Sequence, residues 1–286
     1  MQRHPGKHFV TIFLMVFIGW VSCPGFSSEP SKASDADRAG KNFIQTKIYS
    51  EDEDQEILNL YKGLRESDVC DGLDKAGLRH IGLMNPEILP LWKDTEHYTH
   101  RIIGIAMTAR YVPTNKVVPG RIPPQEYDQW EKDWYGQLSP EPFTPLIRKG
   151  TVLVIEEPES GELGTIGSNN IMAWVLRGCV GVVTNAGARD TDEIITEKVP
   201  LYFKKPARGI RPGRNEIESV NRPVVCGGVL VRPGDVLVAD SDGVVVTPRE
   251  YAKEVAQYAR EILEKDKIGR RGLYKQLHLP EDDSVK

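Results

Sequence analysis

The sequence predicts a layered α/β fold. Stretches of helical spacing alternate with short runs of β-branched residues, and such runs crowd the second half at 224–231, 236–239 and 244–247. A sheet built from them has two apolar faces, and helices must cover both. The chain has 286 residues, 40% of them hydrophobic, enough for a sizeable core in one large or two small domains. No internal repeat is evident.

The amino terminus reads as an export signal. Arg3, His4, Lys7 and His8 precede an apolar run over 9–21. A bilayer span takes about 20 apolar residues, so this run is short for an anchor and suits the centre of a cleaved leader. Ser22, Gly25, Ser27 and Ser28 follow, which places a signal peptide over 1–27. Cys23 offers a competing lipid-attachment site. It ranks second, because Trp20 stands where such sites usually have leucine; an uncleaved anchor ranks third. The chain is therefore expected to be exported, periplasmic or secreted, with no stable membrane span once the leader is removed. Residues 28–55 are rich in Ser, Asp, Glu and Lys and read as a flexible linker.

A folded domain is expected over 56–270. Ile57, Leu60, Tyr61 and Leu64 fall on one helical face, and Ser67 reads as the N-cap of a short helix ended by Gly77. Strands are expected over 102–111, 151–156, 180–184, 224–231, 236–239 and 244–247, with helices over 169–176 and 190–198. Tyr251, Val255, Tyr258, Ala259 and Ile262 give a last helix an apolar stripe. The charged tail 271–286 is expected to fray. Residues 112–149 form a long insertion without clear periodicity, carrying Tyr127, Trp130, Trp134, Tyr135 and Phe143 among several prolines. That aromatic load argues against disorder. A lid over a cleft, a contact with a neighbouring subunit and a surface excursion held by its own aromatics all fit it.

Composition excludes some partners. A net charge of −4, with basic residues scattered among acids, gives no stripe for nucleic acid or anionic lipid. Beyond Cys23 the chain has Cys70, Cys179 and Cys226, too far apart in sequence for a close-spaced zinc or redox motif. All three are expected to pack in the interior. The six histidines are dispersed, which supports neither a histidine-led triad nor a histidine-rich metal cage.

The most informative stretch is RGCVGVVTNAGARDTDE, 177–193, preceded by GSNN at 167–170. A buried-strand pattern runs into a turn that delivers Arg189, Asp190, Asp192 and Glu193 together. On its own this fits a chemical site and a capped, acid-rich helix start about equally. Gly167, Ser168, Asn169 and Asn170 open a helix, where backbone amides can take an anion, although Ser and Asn are also ordinary caps. Asp71 is expected to face solvent, and the RPGD and DSDG turns at 232–235 and 240–243 to serve architecture.

VCDGLDKAG at 69–77, GIAMTAR at 104–110, GSNN with the ARD run, and CGGVLVRPGDVLVADSDGVVVTP at 226–248 resemble, in this order, the class II pyruvate aldolases. That family holds the 4-hydroxy-4-methyl-2-oxoglutarate aldolases and also the regulator of ribonuclease activity A. The resemblance covers about residues 56–265. It implies an αββα sandwich of the swivelling phosphohistidine-domain type, assembled as a ring-shaped homotrimer with the active site in a cleft between subunits. In the commoner family form an acid and apolar residues follow the glycine of GSNN, so this departure puts the substrate's identity in question.

Cleaving a carbon–carbon bond beside a keto acid releases pyruvate as an enolate, which needs a cation at its oxygen and donors for its carboxylate. Lys198, Lys204 and Lys205 lie beyond the motif in a polar stretch, so a divalent metal, Mg2+ or Mn2+, is the expected electron sink. Hard oxygen ligands suit it, and one carboxylate plus waters is enough. The resemblance makes Asp190 the metal ligand and places Glu193 in the same motif, ordering metal-bound water. Arg189, with a planar fork of donors, is expected on the keto-acid end of the substrate. The pyruvate carboxylate is expected at Gly167, Ser168, Asn169 and Asn170. The expected function is retro-aldol cleavage or decarboxylation of a small 4-substituted 2-oxo acid. The alternative is a non-catalytic, protein-binding trimer like the ribonuclease regulator. A menaquinone methyltransferase, a label some relatives carry, finds no glycine-rich cofactor loop here.

Overall fold

A computed structural model describes residues 40–157, 162–282 and 284–286. The expected leader, Cys23 and the start of the linker lie outside the described residues. The chain divides into two units, one ending at Phe43 and one running from Ile44 to Lys286. In the first, residues 40–43 carry no helix or strand, and the Lys41 ammonium lies 5.4 Å from the centre of the Phe43 ring.

The second unit begins with α1 (Glu51–Tyr61) and α2 (Glu66–Lys75), then β1 (Leu89–Pro90), β2 (Ile102–Pro113) and α3 (Pro124–Gln137). Next come β3 (Thr151–Glu156), β4 (Gly164–Ile166), α4 (Ser168–Leu176), β5 (Cys179–Thr184), β6 (Gly187–Ala188) and α5 (Thr191–Glu197). The chain continues through β7 (Leu201–Phe203), β8 (Lys205–Pro206), β9 (Asn215–Val220), β10 (Val224–Cys226) and β11 (Val229–Val231). It closes with β12 (Val236–Asp240), β13 (Gly243–Thr247) and α6 (Ala252–Leu277).

The expected mixed α/β layering is present. The main sheet has the order β1-β7-β5-β3-β2-β12-β13, with β9 also paired to β2. β2, β3, β5 and β7 run parallel, whereas β12 and β9 lie antiparallel to β2. One apolar cluster packs β2, β3 and β5 against α4, α5 and Phe143. A second places β10 and β11 on the other face. A third packs α1, α2 and α6 on β12 and β13. A separate parallel sheet, β4-β6-β8, carries the chain from the core to the candidate site.

Several local expectations need correction. α1 starts at Glu51, inside the stretch read as a linker, because Ser50 and Glu53 form a reciprocal capping box. Leu60, expected on the buried face with Ile57 and Tyr61, is 40% exposed. Ser67 lies inside α2; the Glu66 amide is instead taken by Asp240, 3.1 Å away in the DSDG turn. Gly72 lets α2 close on α6, since a Cβ there would lie 2.9 Å from the Val255 carbonyl oxygen. The single strand expected over 224–231 is a hairpin, because Gly227 and Gly228 both take positive φ and reverse the chain between paired Cys226 and Val229.

The insertion contains a 14-residue helix, α3, where no periodicity was expected. Pro124 suits its first turn, and Tyr127, Trp130 and Trp134 stack along one side with ring centres 5.6 and 5.7 Å apart. Only Trp134 is buried, so the apolar stripe is too thin to read from spacing. Its indole donates to the Asn215 carbonyl at 3.0 Å. The tail is not frayed: α6 reaches Leu277, and Arg270 and Arg271 donate to Ser284 Oγ and the Val285 carbonyl. No described helix is long and apolar enough to cross a membrane.

Candidate functional site

β4 and β6 pair in parallel, with Ile166 opposite Ala188, and the Arg189 amide donates to the Ile166 carbonyl at 2.8 Å. Both strands therefore end side by side. Gly167 leaves β4 to open α4, and Arg189 and Asp190 leave β6 to open α5. Two segments that the sequence holds 22 residues apart are thereby brought together.

Asp190 adopts a left-handed backbone, φ 55° and ψ 40°. Aspartate tolerates that region better than most residues, but it is still sparsely populated outside glycine. The conformation turns its side chain away from its own helix, which receives no side-chain cap. The simple capped-helix arrangement is thus excluded. The carboxylate reaches across and accepts the Ser168 N–H at 3.2 Å, at the positive start of α4. Arg189 Nε lies 3.7 Å from the other oxygen, and the two side chains are 37% and 35% exposed, open to a ligand.

Gly167 is required by this approach. A Cβ on it would stand 2.7 Å from Asp190 Oδ2, with Arg189 Nε at 3.5 Å and Asn170 Oδ1 at 3.6 Å. Gly167, Ser168 and Asn170 of GSNN therefore share one place with the Arg-Asp pair, while Asn169 is exposed. The Ser168 amide, expected to be open to substrate, is instead occupied by Asp190. Glu193 is exposed in the first turn of α5 and makes no hydrogen bond or ion pair among the described residues.

Residues that the sequence did not reveal surround this place. Glu141, from the insertion, accepts Asn170 Nδ2 at 2.5 Å, Trp174 Nε1 at 2.9 Å and Arg211 at 2.6 Å. Arg211 is only 5% exposed and also donates to the Tyr111 hydroxyl and the Ser139 carbonyl. Its guanidinium lies 4.9 Å from the Tyr135 ring centre. Burial raises the Tyr135 phenol, and the charges of Arg211 and Arg189 oppose that shift. Glu157, 3% exposed beyond β3, is pushed up to about 8 by burial, against the Thr165 hydroxyl and the Arg211 charge. Only the aromatic content of 112–149 could have drawn attention to this wall.

A separate acidic group, Glu66, Asp240 and Asp242, has ligand oxygens within 4.8 Å of one another. Burial, followed by those neighbouring carboxylates, raises Glu66, while the Cys70 thiol donates to it at 3.0 Å and lowers it. Cys179 and Cys226 are buried as expected; Cys70 is only half-buried. Asp71 is exposed. In the RPGD turn Asp235 accepts the Arg232 and Arg249 amides, an architectural role. A recess of about 480 Å³ opens elsewhere, lined by Lys47, Tyr49, Arg148, Gly150, Asn221 and Pro233 among others. It includes none of the Asp190 group.

The family model described as RraA-like, Aldolase/RraA, matches residues 66–246, which hold every residue of this group. A 4-hydroxy-4-methyl-2-oxoglutarate aldolase of Thermus thermophilus is 32% identical over 115 residues, 36% of this chain and 66% of that protein. An uncharacterized protein of Methanocaldococcus jannaschii is 35% identical over 92 residues, 32% of this chain. The chain spans less than half of that relative's length, 44%. Among solved structures, an unusual member of the RNase ES inhibitor RraA family from Streptomyces coelicolor superposes with a TM-score of 0.58. It shares 22% identity, over 76% of this chain and 96% of that one, which supports the fold.

Proposed function

The chain belongs to the RraA-like family of aldolases and RraA proteins, and on that premise we propose that it is a divalent-metal-dependent lyase. Its reaction would be retro-aldol cleavage or decarboxylation of a 4-substituted 2-oxo acid, with pyruvate leaving as its enolate. The observation that carries this reading is the left-handed Asp190, whose carboxylate is spent on α4 and the site rather than on its own helix.

The donor set fits Mg2+ or Mn2+. Asp190 offers a half-exposed hard oxygen, and such ions take one or two carboxylates and keep several waters. A cation held there supplies positive charge for an enolate oxygen. Arg189 would clamp and orient the keto-acid end with its planar fork. The first turn of a helix leaves its amides without partners inside the helix. Asp190 takes that of Ser168, so those of Asn169 and Asn170 would receive the pyruvate carboxylate. Glu193, exposed in the first turn of α5, would receive the C4 hydroxyl proton through a water. Decarboxylation needs no such base.

The assembly belongs to the same proposal: an αββα sandwich of the swivelling phosphohistidine-domain type, in a ring-shaped homotrimer with its cleft between subunits, exported after removal of 1–27. The test is pyruvate release by the purified protein from 4-hydroxy-4-methyl-2-oxoglutarate and from oxaloacetate, with Mg2+ or Mn2+ and with a chelator. Release that the chelator stops supports the lyase and shows which bond is preferred. No release from either compound by folded protein would favour a protein-binding role, the second reading, because the matching family model is described as covering RraA proteins as well as aldolases.

A further inference from the structure

Glu141 and Asn170 are 29 residues apart and joined by a hydrogen bond of 2.5 Å. Glu141 is surrounded by donors: the Asn170 amide nitrogen and an Arg211 nitrogen on one oxygen, and the Trp174 indole on the other. Both Glu141 oxygens accept, and the Asn170 amide faces one of them with its NH2 group, the only part of the amide that can donate. That settles which way the amide points, a choice otherwise open for any asparagine. Its oxygen is left facing the other way, toward Gly167. There Asn170 Oδ1, Asp190 Oδ2 and Arg189 Nε all lie within 4 Å of the point where a Gly167 Cβ would stand. One is a charged oxygen, one a neutral oxygen and one a cationic donor.

We propose that Asn170 Oδ1 is a second oxygen donor of the cation site based on Asp190, and that Glu141 is the positioning residue that keeps it turned inward. The inference rests on the reading of Asp190 as the metal's carboxylate. The insertion then contributes to the chemistry, because it carries the acceptor that orients a side chain of the GSNN turn. Arg211, itself buried, donates at 2.6 Å to the Glu141 oxygen that also accepts from Asn170, which holds that acceptor in place. Outer partners of this kind orient the groups at a metal site, and their loss costs about 10- to 100-fold in metal affinity.

The test is a Mn2+ titration of the full chain without substrate, following the spectroscopic signal of free Mn2+, with thermal melting as the control for folding. Asn170→Ala should bind Mn2+ about tenfold more weakly, or worse, while melting cooperatively. Glu141→Ala should also weaken binding, because the amide loses its orientation. Combining Glu141→Ala with Asn170→Asp should restore it, since both carboxylate oxygens accept and none needs turning. A purely structural role for Glu141 would not produce that recovery. If Asn170→Ala binds Mn2+ as wild type does, the inference falls and the Asp190 assignment stands. If wild type binds Mn2+ no better than Asp190→Ala, both fall together.

Discussion

Asp190 and Ser168 are joined across two helix starts: the aspartate carboxylate accepts the serine N–H at 3.2 Å, although Asp190 precedes a different helix. A left-handed residue at the end of β6 is what makes that reach possible. Backbone strain of this sort costs about 1–3 kcal/mol and persists where the surroundings impose it. Here the parallel pairing of β4 with β6 imposes it, and the gain is a carboxylate fixed beside Arg189 and the amides of α4.

Gly167→Ala tests that closeness. The new methyl would stand 2.7 Å from Asp190 Oδ2, the far end of a side chain that can swing aside. The fold should survive, with a melting temperature near that of wild type. Mn2+ affinity and pyruvate release should both fall at least tenfold. Wild-type affinity in this variant would mean that the carboxylate position does not matter.

Glu157 should make stability fall as pH rises. Burial raises its carboxyl from 4.5 to about 8, so the folded chain holds a proton that the unfolded chain has released across that window. Its favourable contribution is complete below about pH 4.5 and is lost as pH climbs through 8. Glu157→Gln should therefore be more stable than wild type at pH 8.5 and close to it at pH 5. Denaturant midpoints at the two pH values check this, and an unchanged difference between them would refute it.

The insertion should behave as part of the core. Phe143 is fully buried and meets Trp174 of α4 edge to face, with centres 5.4 Å apart. Phe143→Ala should cost about 3–5 kcal/mol, the range for removing a large buried aromatic. A loss below about 1 kcal/mol, in the range of surface changes, would return 112–149 to the status of a surface excursion.

Much of this molecule was legible in the sequence, for physical reasons that differ by element. β3 was placed to the residue, because a fully buried parallel strand is a continuous apolar run bounded by glycine and acid. α4 and α5 were close, since GSNN and the RDTDE run carry ordinary helix-start chemistry. β4, β6 and β8 were missed: two or three residues have no period, and pairing alone defines them. β9 was missed because NEIESV is polar and only half-buried. At the candidate site, the Arg-Asp pair and GSNN stand out in the sequence as motifs. The direction of Asp190 does not, because a left-handed turn leaves no pattern beyond the residue's tolerance for it. Glu141 and Arg211 were invisible because their partners are 29 to 100 residues away.

Asp190→Asn isolates charge from shape. Asparagine tolerates the left-handed region and can still accept the Ser168 amide, so the fold should be kept to within about 1 kcal/mol. The most direct test is Mn2+ affinity and metal-dependent pyruvate release measured side by side on wild type and this variant. Wild type should bind Mn2+ and turn over, while Asp190→Asn, equally folded, should lose at least tenfold in affinity and nearly all turnover. Equal affinity and equal turnover in the two proteins would contradict the assignment of Asp190 as the group on which the chemistry depends.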